Sequence, residues 1–127
     1  MHTGSCLCGS VTYSLEGPLR PSVACHCTQC RKTSGHYWSA TQVPTDRLHI
    51  TRDAGLTWFR SSDTAQRAFC NRCGSSLFWT MDSEDTTSIA TGTLDGDTGL
   101  TTSTHIFVKD KGDYYDIEDG PEQLAKY

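Results

Sequence analysis

Seven cysteines fall into three tight clusters: Cys6-Leu7-Cys8, Cys25-His26-Cys27-Thr28-Gln29-Cys30 and Cys70-Asn71-Arg72-Cys73. A zinc ion is satisfied by about four soft donors in a tetrahedron. The first and last clusters together supply one complete set, Cys6, Cys8, Cys70 and Cys73. The middle cluster, Cys25, Cys27 and Cys30, supplies an incomplete one. A closed site holds a fold together, whereas three protein ligands leave a position for water or substrate. This division predicts two zinc ions per chain, one structural and one catalytic.

Other uses of cysteine fit less well. The count is odd, and Met1-His2-Thr3-Gly4-Ser5 lacks a basic segment followed by an apolar run, so the expectation is a cytoplasmic chain. Thiols in a reducing compartment stay free or bind metal. Cys6 and Cys8 are too close in sequence to pair without straining disulfide geometry. A thioredoxin-like Cys-x-x-Cys needs a βαβ context, and no such pattern is present. By length the 127 residues read as one zinc-binding domain spanning 1–127. The hydrophobic fraction is only 35%, so a structural zinc, contributing on the order of 10 kcal/mol in small domains, would support a lean core. A net charge of −4 with no basic stripe argues against nucleic acid as a partner. No apolar run has the length to span a bilayer.

Short alternating segments dominate the chain. Ser10 to Leu15 alternates polar and apolar residues and ends at Gly17-Pro18. Tyr37 to Val43 is aromatic and β-rich and stops before Pro44. Leu48 to Thr51 and Leu56 to Arg60 flank Asp53-Ala54-Gly55, which predicts a hairpin. Gln66 to Phe69 leads into Cys70 and Ser76 to Thr80 leads away from Cys73, placing both cysteines at a hairpin tip. Thr86 to Thr91 and Thr104 to Val108 read as further strands. One helical turn is expected at about Thr28 to Thr33. The aromatics Trp38, Trp58, Phe59, Phe69, Phe78 and Trp79 lie in strand patterns and are expected in the core, with one or two of them able to wall a pocket instead. The pattern is all-β, with short strands held by zinc.

Glycine follows both halves of the four-cysteine set, Gly9 after Cys8 and Gly74 after Cys73. A chain that curls back to aim backbone N–H groups at a sulfur often needs the positive φ that glycine permits. In the middle cluster, three thiolates on Zn²⁺ carry about −1 by formal count. Such a zinc is a weak Lewis acid, matched to a soft fourth ligand such as a substrate thiolate. Arg31 and Lys32 adjoin the cluster and either offset its charge, hold a substrate carboxylate, or form an ordinary solvated pair. His26 is expected to point outward or to support the site rather than ligate, because adjacent residues seldom bind one metal together. His2, His36, His49 and His105 have no ligand spacing and read as surface or strand residues. The Leu94-Asp95-Gly96-Asp97-Thr98-Gly99 stretch lacks the features of a calcium loop and reads as a turn.

The ordered segments Gly4-Ser5-Cys6-Leu7-Cys8-Gly9-Ser10-Val11-Thr12-Tyr13, Cys25-His26-Cys27-Thr28-Gln29-Cys30-Arg31-Lys32 and Phe69-Cys70-Asn71-Arg72-Cys73-Gly74-Ser75 resemble the glutathione-dependent formaldehyde-activating enzyme family, which includes centromere protein V. His105-Ile106-Phe107-Val108-Lys109-Asp110-Lys111 is similar to that family's C-terminal segment. The resemblance runs from roughly Gly4 to Asp119. It implies a β-tent of small antiparallel sheets organised around zinc, with a structural zinc on Cys6, Cys8, Cys70 and Cys73 and a catalytic zinc on Cys25, Cys27 and Cys30. It also implies a carbon–sulfur lyase that joins glutathione to formaldehyde as S-hydroxymethylglutathione. Where the family carries a tryptophan after its His-Ile-Phe-Val segment, this chain has Gly112-Asp113-Tyr114-Tyr115-Asp116. That departure lies outside the zinc clusters and bears on the pocket wall.

The leading reading is a zinc enzyme that forms or splits a thiol–aldehyde adduct. The alternative is a non-catalytic zinc module that binds glutathione or a protein partner. A methionine-sulfoxide reductase of the zinc-bearing β-tent type would need a late nucleophilic cysteine, and none follows Cys73. A hydrolase acting on carbon–nitrogen bonds suits a thiolate-rich zinc less well.

Overall fold

The computed structural model describes residues 1–127. The strands are β1 (His2–Ser5), β2 (Val11–Leu15), β3 (Ser22–Cys25), β4 (Trp38–Pro44), β5 (Leu48–Asp53), β6 (Leu56–Arg60), β7 (Ala65–Cys70), β8 (Ser76–Met81), β9 (Thr86–Ala90), β10 (Thr102–Ile106) and β11 (Glu122–Gln123). The one α-helix, α1 (Thr28–Ser34), sits between β3 and β4. The fold is all-β, as the short alternating segments predict.

Two sheets form. The smaller runs β1-β2-β5 and the larger runs β11-β10-β3-β4-β9-β8-β7-β6. In β2 the alternation is strict: Val11, Tyr13 and Leu15 are buried while Thr12 and Ser14 are half-buried. Those three side chains pack against Val43, Ala68, Leu77, Phe78 and Ile89 of the larger sheet. The Tyr13 and Phe78 rings meet edge to face at 5.3 Å between centroids, a favoured aromatic arrangement. The buried Tyr13 hydroxyl is satisfied by Thr93 Oγ1 at 2.6 Å.

Leu48–Asp53 and Leu56–Arg60 form strands but not a hairpin. β5 pairs with β2, and β6 pairs with β7. The Asp53-Ala54-Gly55 turn therefore carries the chain from one sheet to the other. Contacts with the cysteine hairpin fix it: Gly55 O accepts from the Asn71 N–H at 2.8 Å. A Cβ on Gly55 would lie 3.2 Å from Cys70 Sγ, at a φ of +105°. Glycine is required there for both reasons.

The larger sheet is not wholly antiparallel. β10 runs parallel to β3 and to β11, because the long connection after β9 returns the chain to the sheet edge in the same direction. β10 ends at Ile106, and Phe107 adopts a left-handed conformation (φ 54°) that stops the strand. Two aromatics expected in the core are exposed: Trp58 at 41% and Phe59 at 59%. Both lie on β6, the edge strand of the sheet.

β1 crosses close over the core at Gly4. A Cβ there would stand 2.3 Å from the Tyr13 hydroxyl and 2.6 Å from the Thr93 carbonyl oxygen, and backbone cannot yield as a side-chain tip does. Gly4→Ala should therefore cost about 1–3 kcal/mol, the range for overpacking. Chemical denaturation of the metal-loaded protein checks this, and an unchanged midpoint would refute the close approach.

Candidate metal centres and the adjoining clefts

The four-cysteine set assembles where the two sheets meet. Cys6 and Cys8 lie between β1 and β2, and Cys70 and Cys73 at the β7–β8 tip. All four sulfurs lie within 4.8 Å of one another. Cys6 Sγ is 3.7 Å from Cys8 Sγ, and Cys8 Sγ is 3.8 Å from Cys70 Sγ. Sulfurs each about 2.3 Å from a shared tetrahedral centre stand about 3.8 Å apart, so this donor set fits zinc.

The surroundings supply donors to the sulfurs. The Val11 N–H reaches Cys6 Sγ at 3.3 Å, and the Arg72 N–H reaches Cys70 Sγ at 3.4 Å. Ser10 Oγ lies 3.1 Å from Cys8 Sγ and 3.2 Å from Cys70 Sγ. Ser75 Oγ lies 3.3 Å from Cys73 Sγ and accepts from the Leu7 N–H at 2.9 Å, joining the two half-sites. Hydrogen bonds from the Ser75 hydroxyl, then from backbone N–H groups, pull the Cys73 thiol down to about 5. Gly9 (φ +80°) and Gly74 (φ +81°) take the positive φ expected of them.

Cys25, Cys27 and Cys30 also bring their sulfurs within 4.8 Å of one another. Cys25 ends β3, Cys27 caps the N-terminus of α1 and accepts from the Cys30 N–H at 3.3 Å, and Cys30 is buried on the helix. β3 is fixed on both sides: Cys25 faces Trp38 on β4 and Ile106 on β10. Hydrogen bonds from Cys25 and Cys30 pull the Cys27 thiol far down, to about 2, and the same contacts push Cys25 up. Three thiol donors this close together fit zinc with one coordination position uncommitted.

Arg67 on β7 is buried and donates from Nη2 to Cys30 Sγ at 3.4 Å. Its guanidinium carbon lies 5.7 Å from the centre of the Trp38 ring. Of the expected basic pair on α1, Arg31 is half-buried and Lys32 exposed. The buried cation nearest the sulfurs is therefore one that local sequence did not mark.

His26, between two of the cysteines in sequence, is fully buried rather than outward. Its ring Nδ1 bonds the Tyr115 hydroxyl, and its Nε2 lies 2.9 Å from His105 Nδ1. Burial first, then His105, His36 and Lys111, push its imidazole down to about 4. With His36, Tyr37, His105, Tyr115 and the acidic Asp116, Glu118 and Asp119, it lines a cleft of about 360 Å³. His36 and His105, which the sequence presents as unrelated, come together here because β10 lies beside β3.

A family model for the glutathione-dependent formaldehyde-activating enzyme matches residues 1–110. The chain belongs to that family. An uncharacterized lyase of Schizosaccharomyces pombe is 26% identical over 122 residues, covering 91% of this chain and 85% of that one. A Halomonas elongata protein that carries the family's name is 32% identical over 92 residues, 62% of this chain and 55% of that one. A similarly named Aspergillus oryzae protein is 32% identical over 77 residues, of which this chain spans 40% of the length. A crystal structure of a Rhodobacter sphaeroides protein superposes with a TM-score of 0.62 at 26% identity, over 76% of this chain and 91% of that one. The family and the lyase-named relative support an enzyme of the formaldehyde-activating, lyase kind. No helix is long and apolar enough to cross a membrane.

The two cysteine sets should respond differently to mutation. Cys73→Ser should remove one metal equivalent and lower Tm by at least ~10 °C, because it opens the site that joins the sheets. Cys27→Ser should remove one equivalent while shifting Tm by only a few degrees, about 1 kcal/mol or less. Metal analysis alongside thermal melting checks this, and equal losses in Tm would contradict the division.

Proposed function

We propose that this chain, acting as a single domain over 1–127, is a zinc-dependent carbon–sulfur lyase. It joins glutathione to formaldehyde or a related small aldehyde, and catalyses the reverse split. The observation that carries this reading is the three-cysteine set at the junction of β3 and α1, one donor short of a closed tetrahedron. Cys25, Cys27 and Cys30 are the catalytic metal donors, and Cys6, Cys8, Cys70 and Cys73 the structural ones. Zinc in the open set supplies a coordination position that keeps a substrate thiol ionised at neutral pH.

The chain's own residues do the rest. Arg67 offsets negative charge at Cys30 through its 3.4 Å contact. Arg31 and Lys32, on the helix that carries Cys30, hold a carboxylate of the thiol substrate. His26, kept neutral by burial, fixes Tyr115 and His105 in the cleft wall. In the bond-forming step the substrate sulfur attacks the aldehyde carbon. The carbonyl π pair moves to oxygen, and that oxygen takes up the proton the thiol gave up. No oxidant or reductant is needed, which suits a site whose cysteines are metal donors. The cytoplasm, where glutathione is abundant and thiols stay reduced, is the matching compartment.

Glutathione and formaldehyde mixed with the zinc-loaded protein, followed by NMR, should form adduct faster than the uncatalysed reaction. Cys27→Ser should return the rate to the uncatalysed value. If wild type gives no acceleration over that variant, the lyase reading fails for this substrate pair and a non-catalytic zinc module remains. The Arg31→Ala, Lys32→Ala double variant should raise the glutathione Kd by about 2–5-fold, the scale of partly exposed ion pairs. Unchanged affinity by calorimetry would leave the two as a solvated pair.

A further inference from the structure

Arg67 is a buried cation with no carboxylate to balance it. It is only 7% exposed, and the ion pairs of the chain, His49–Glu16 and Arg60–Asp82, lie elsewhere. A buried guanidinium without an opposite charge is rare, because desolvation penalises it heavily. Three neighbours grip this one. Nη2 donates to Cys30 Sγ and Nε to Gln29 Oε1, each at 3.4 Å, and the guanidinium carbon lies 5.7 Å from the centre of the Trp38 ring. Gln29 is itself tethered, donating from Nε2 to the Ser61 carbonyl at 3.0 Å. Nη1 has no partner, so the side chain stands there at a cost to folding.

Gln29 and Trp38 are neutral and hold the cation without cancelling its charge. Cys30, 3% exposed, is the one neighbour able to carry a negative charge, as a thiolate. It belongs to the three-cysteine set, whose sulfurs lie within 4.8 Å of one another. By formal count, zinc on three thiolates carries about −1, and Arg67 brings the buried group to neutrality. A fourth donor joining that set becomes a neighbour of Cys30 and feels the same cation. Adding a negative charge to a buried group that is already negative is penalised far more than adding it to a neutral one. A neutral donor, such as water or imidazole, gains nothing comparable from the cation. Arg31 is half-buried and Lys32 exposed, so solvent screens their charge more than that of Arg67. We infer that Arg67 sets the charge preference of the three-cysteine set: it balances the thiolates so that an anionic sulfur, rather than a neutral donor, completes the tetrahedron.

This role deepens the lyase reading and rests on its three-cysteine zinc. Arg67 touches a metal donor and not the substrate, so it is a positioning residue that determines specificity through Cys30. Its effect is to discriminate among nucleophiles. A thiol gives its proton to solvent and joins the set as an anion, whereas water and amines arrive neutral. The cation therefore narrows the substrate class to thiols, whatever the rest of the thiol molecule carries.

Cobalt(II) in place of zinc makes the open set visible, since a ligand joining it changes the visible absorption and a thiolate adds sulfur-to-cobalt charge transfer. At neutral pH, 2-mercaptoethanol serves as a sulfur ligand free of carboxylate and ammonium, and imidazole as a neutral one. Wild type should take 2-mercaptoethanol in preference to imidazole, and the reverse order overturns the proposal without any variant. Arg67→Gln keeps a hydrogen-bonding side chain and removes the charge. It should raise the Kd for 2-mercaptoethanol about 10-fold, the scale of one close opposite charge, and leave that for imidazole unchanged. Arg67→Lys keeps the charge and should stay near wild type. Equal weakening for both ligands, or equal impairment of the Gln and Lys variants, assigns Arg67 to structure and overturns the proposal, as does no change for either ligand. Loss of a cobalt equivalent from both variants shows Arg67 building the donor set instead of tuning it, and overturns the proposal too. The titrations need no aldehyde and no turnover. A wild type that binds the thiol in this way but accelerates no adduct formation fails the lyase reading alone. Acceleration by wild type, with Arg67→Gln binding both ligands normally, fails this proposal alone.

Discussion

The joint between the two sheets depends on four sulfurs. Cys6 and Cys8 come from the turn of the three-stranded sheet, and Cys70 and Cys73 from a hairpin of the eight-stranded one. Around that joint the apolar cluster holds 11 buried residues, a thin core for two sheets to share. The Tyr13 and Phe78 rings pack edge to face across the joint. Cys6 and Cys70 belong to the same apolar cluster as that pair, so the sulfurs pack as core residues as well as offering donors. The Asp53-Ala54-Gly55 crossing leans on the same hairpin through Gly55 and Asn71. Core, sheet crossing and donor set thus stand or fall together.

The two cysteine sets differ in what surrounds them more than in their sulfurs. The four-cysteine set is enclosed by Ser10, Ser75 and two backbone N–H groups, all of which are spent on sulfur. The three-cysteine set has one backbone N–H on Cys27 and one guanidinium nitrogen on Cys30, with donors left over. A satisfied shell rigidifies, and an unsatisfied one costs stability unless a ligand completes it. The incomplete coordination and the incomplete hydrogen bonding occur at the same place. Their coincidence favours a site built to receive something over one built only to fold.

Local signals in the sequence carried the strands, the cysteine hairpin and the helix, and through-space relations did not. Val11–Leu15 alternates strictly because one face meets the core, and Thr28–Ser34 is helical between spaced cysteines. β3 was invisible because four residues, Ser22 to Cys25, are too few to show a period. The Asp53-Ala54-Gly55 turn has hairpin chemistry, but its flanking strands found better partners in β2 and β7. Ligand counting recovered both cysteine sets, since spacing of thiols is itself the chemistry. Arg67 was missed because 37 residues separate it from Cys30, whereas Arg31 and Lys32 were conspicuous only by adjacency. The His26–His105–Tyr115 group was missed for the same reason: the parallel pairing of β10 with β3 brings His105 to His26, and the segment after β10 brings Tyr115.

The match to the family ends at residue 110, whereas Tyr115, Asp116, Glu118 and Asp119 of the larger cleft lie beyond it. All seven cysteines fall inside the matched stretch. The far wall of the cleft therefore lies outside the matched stretch, in the segment that holds Gly112-Asp113-Tyr114-Tyr115-Asp116. Lys111 pins that wall by donating to the Gly112 carbonyl at 2.7 Å and by lying 4.6 Å over the Tyr115 ring. On the proposed reading, charge orders a thiol peptide across the site. Glutathione carries an ammonium and two carboxylates, and three acidic side chains on the wall repel the carboxylates while attracting the ammonium. Arg31 and Lys32 on α1 carry the opposite sign. On the proposed reading the substrate's amino end belongs at the acidic wall and a carboxylate end at the helix. On the same reading a thiol lacking the ammonium would gain nothing from that wall, so the segment after residue 110 would contribute to thiol specificity.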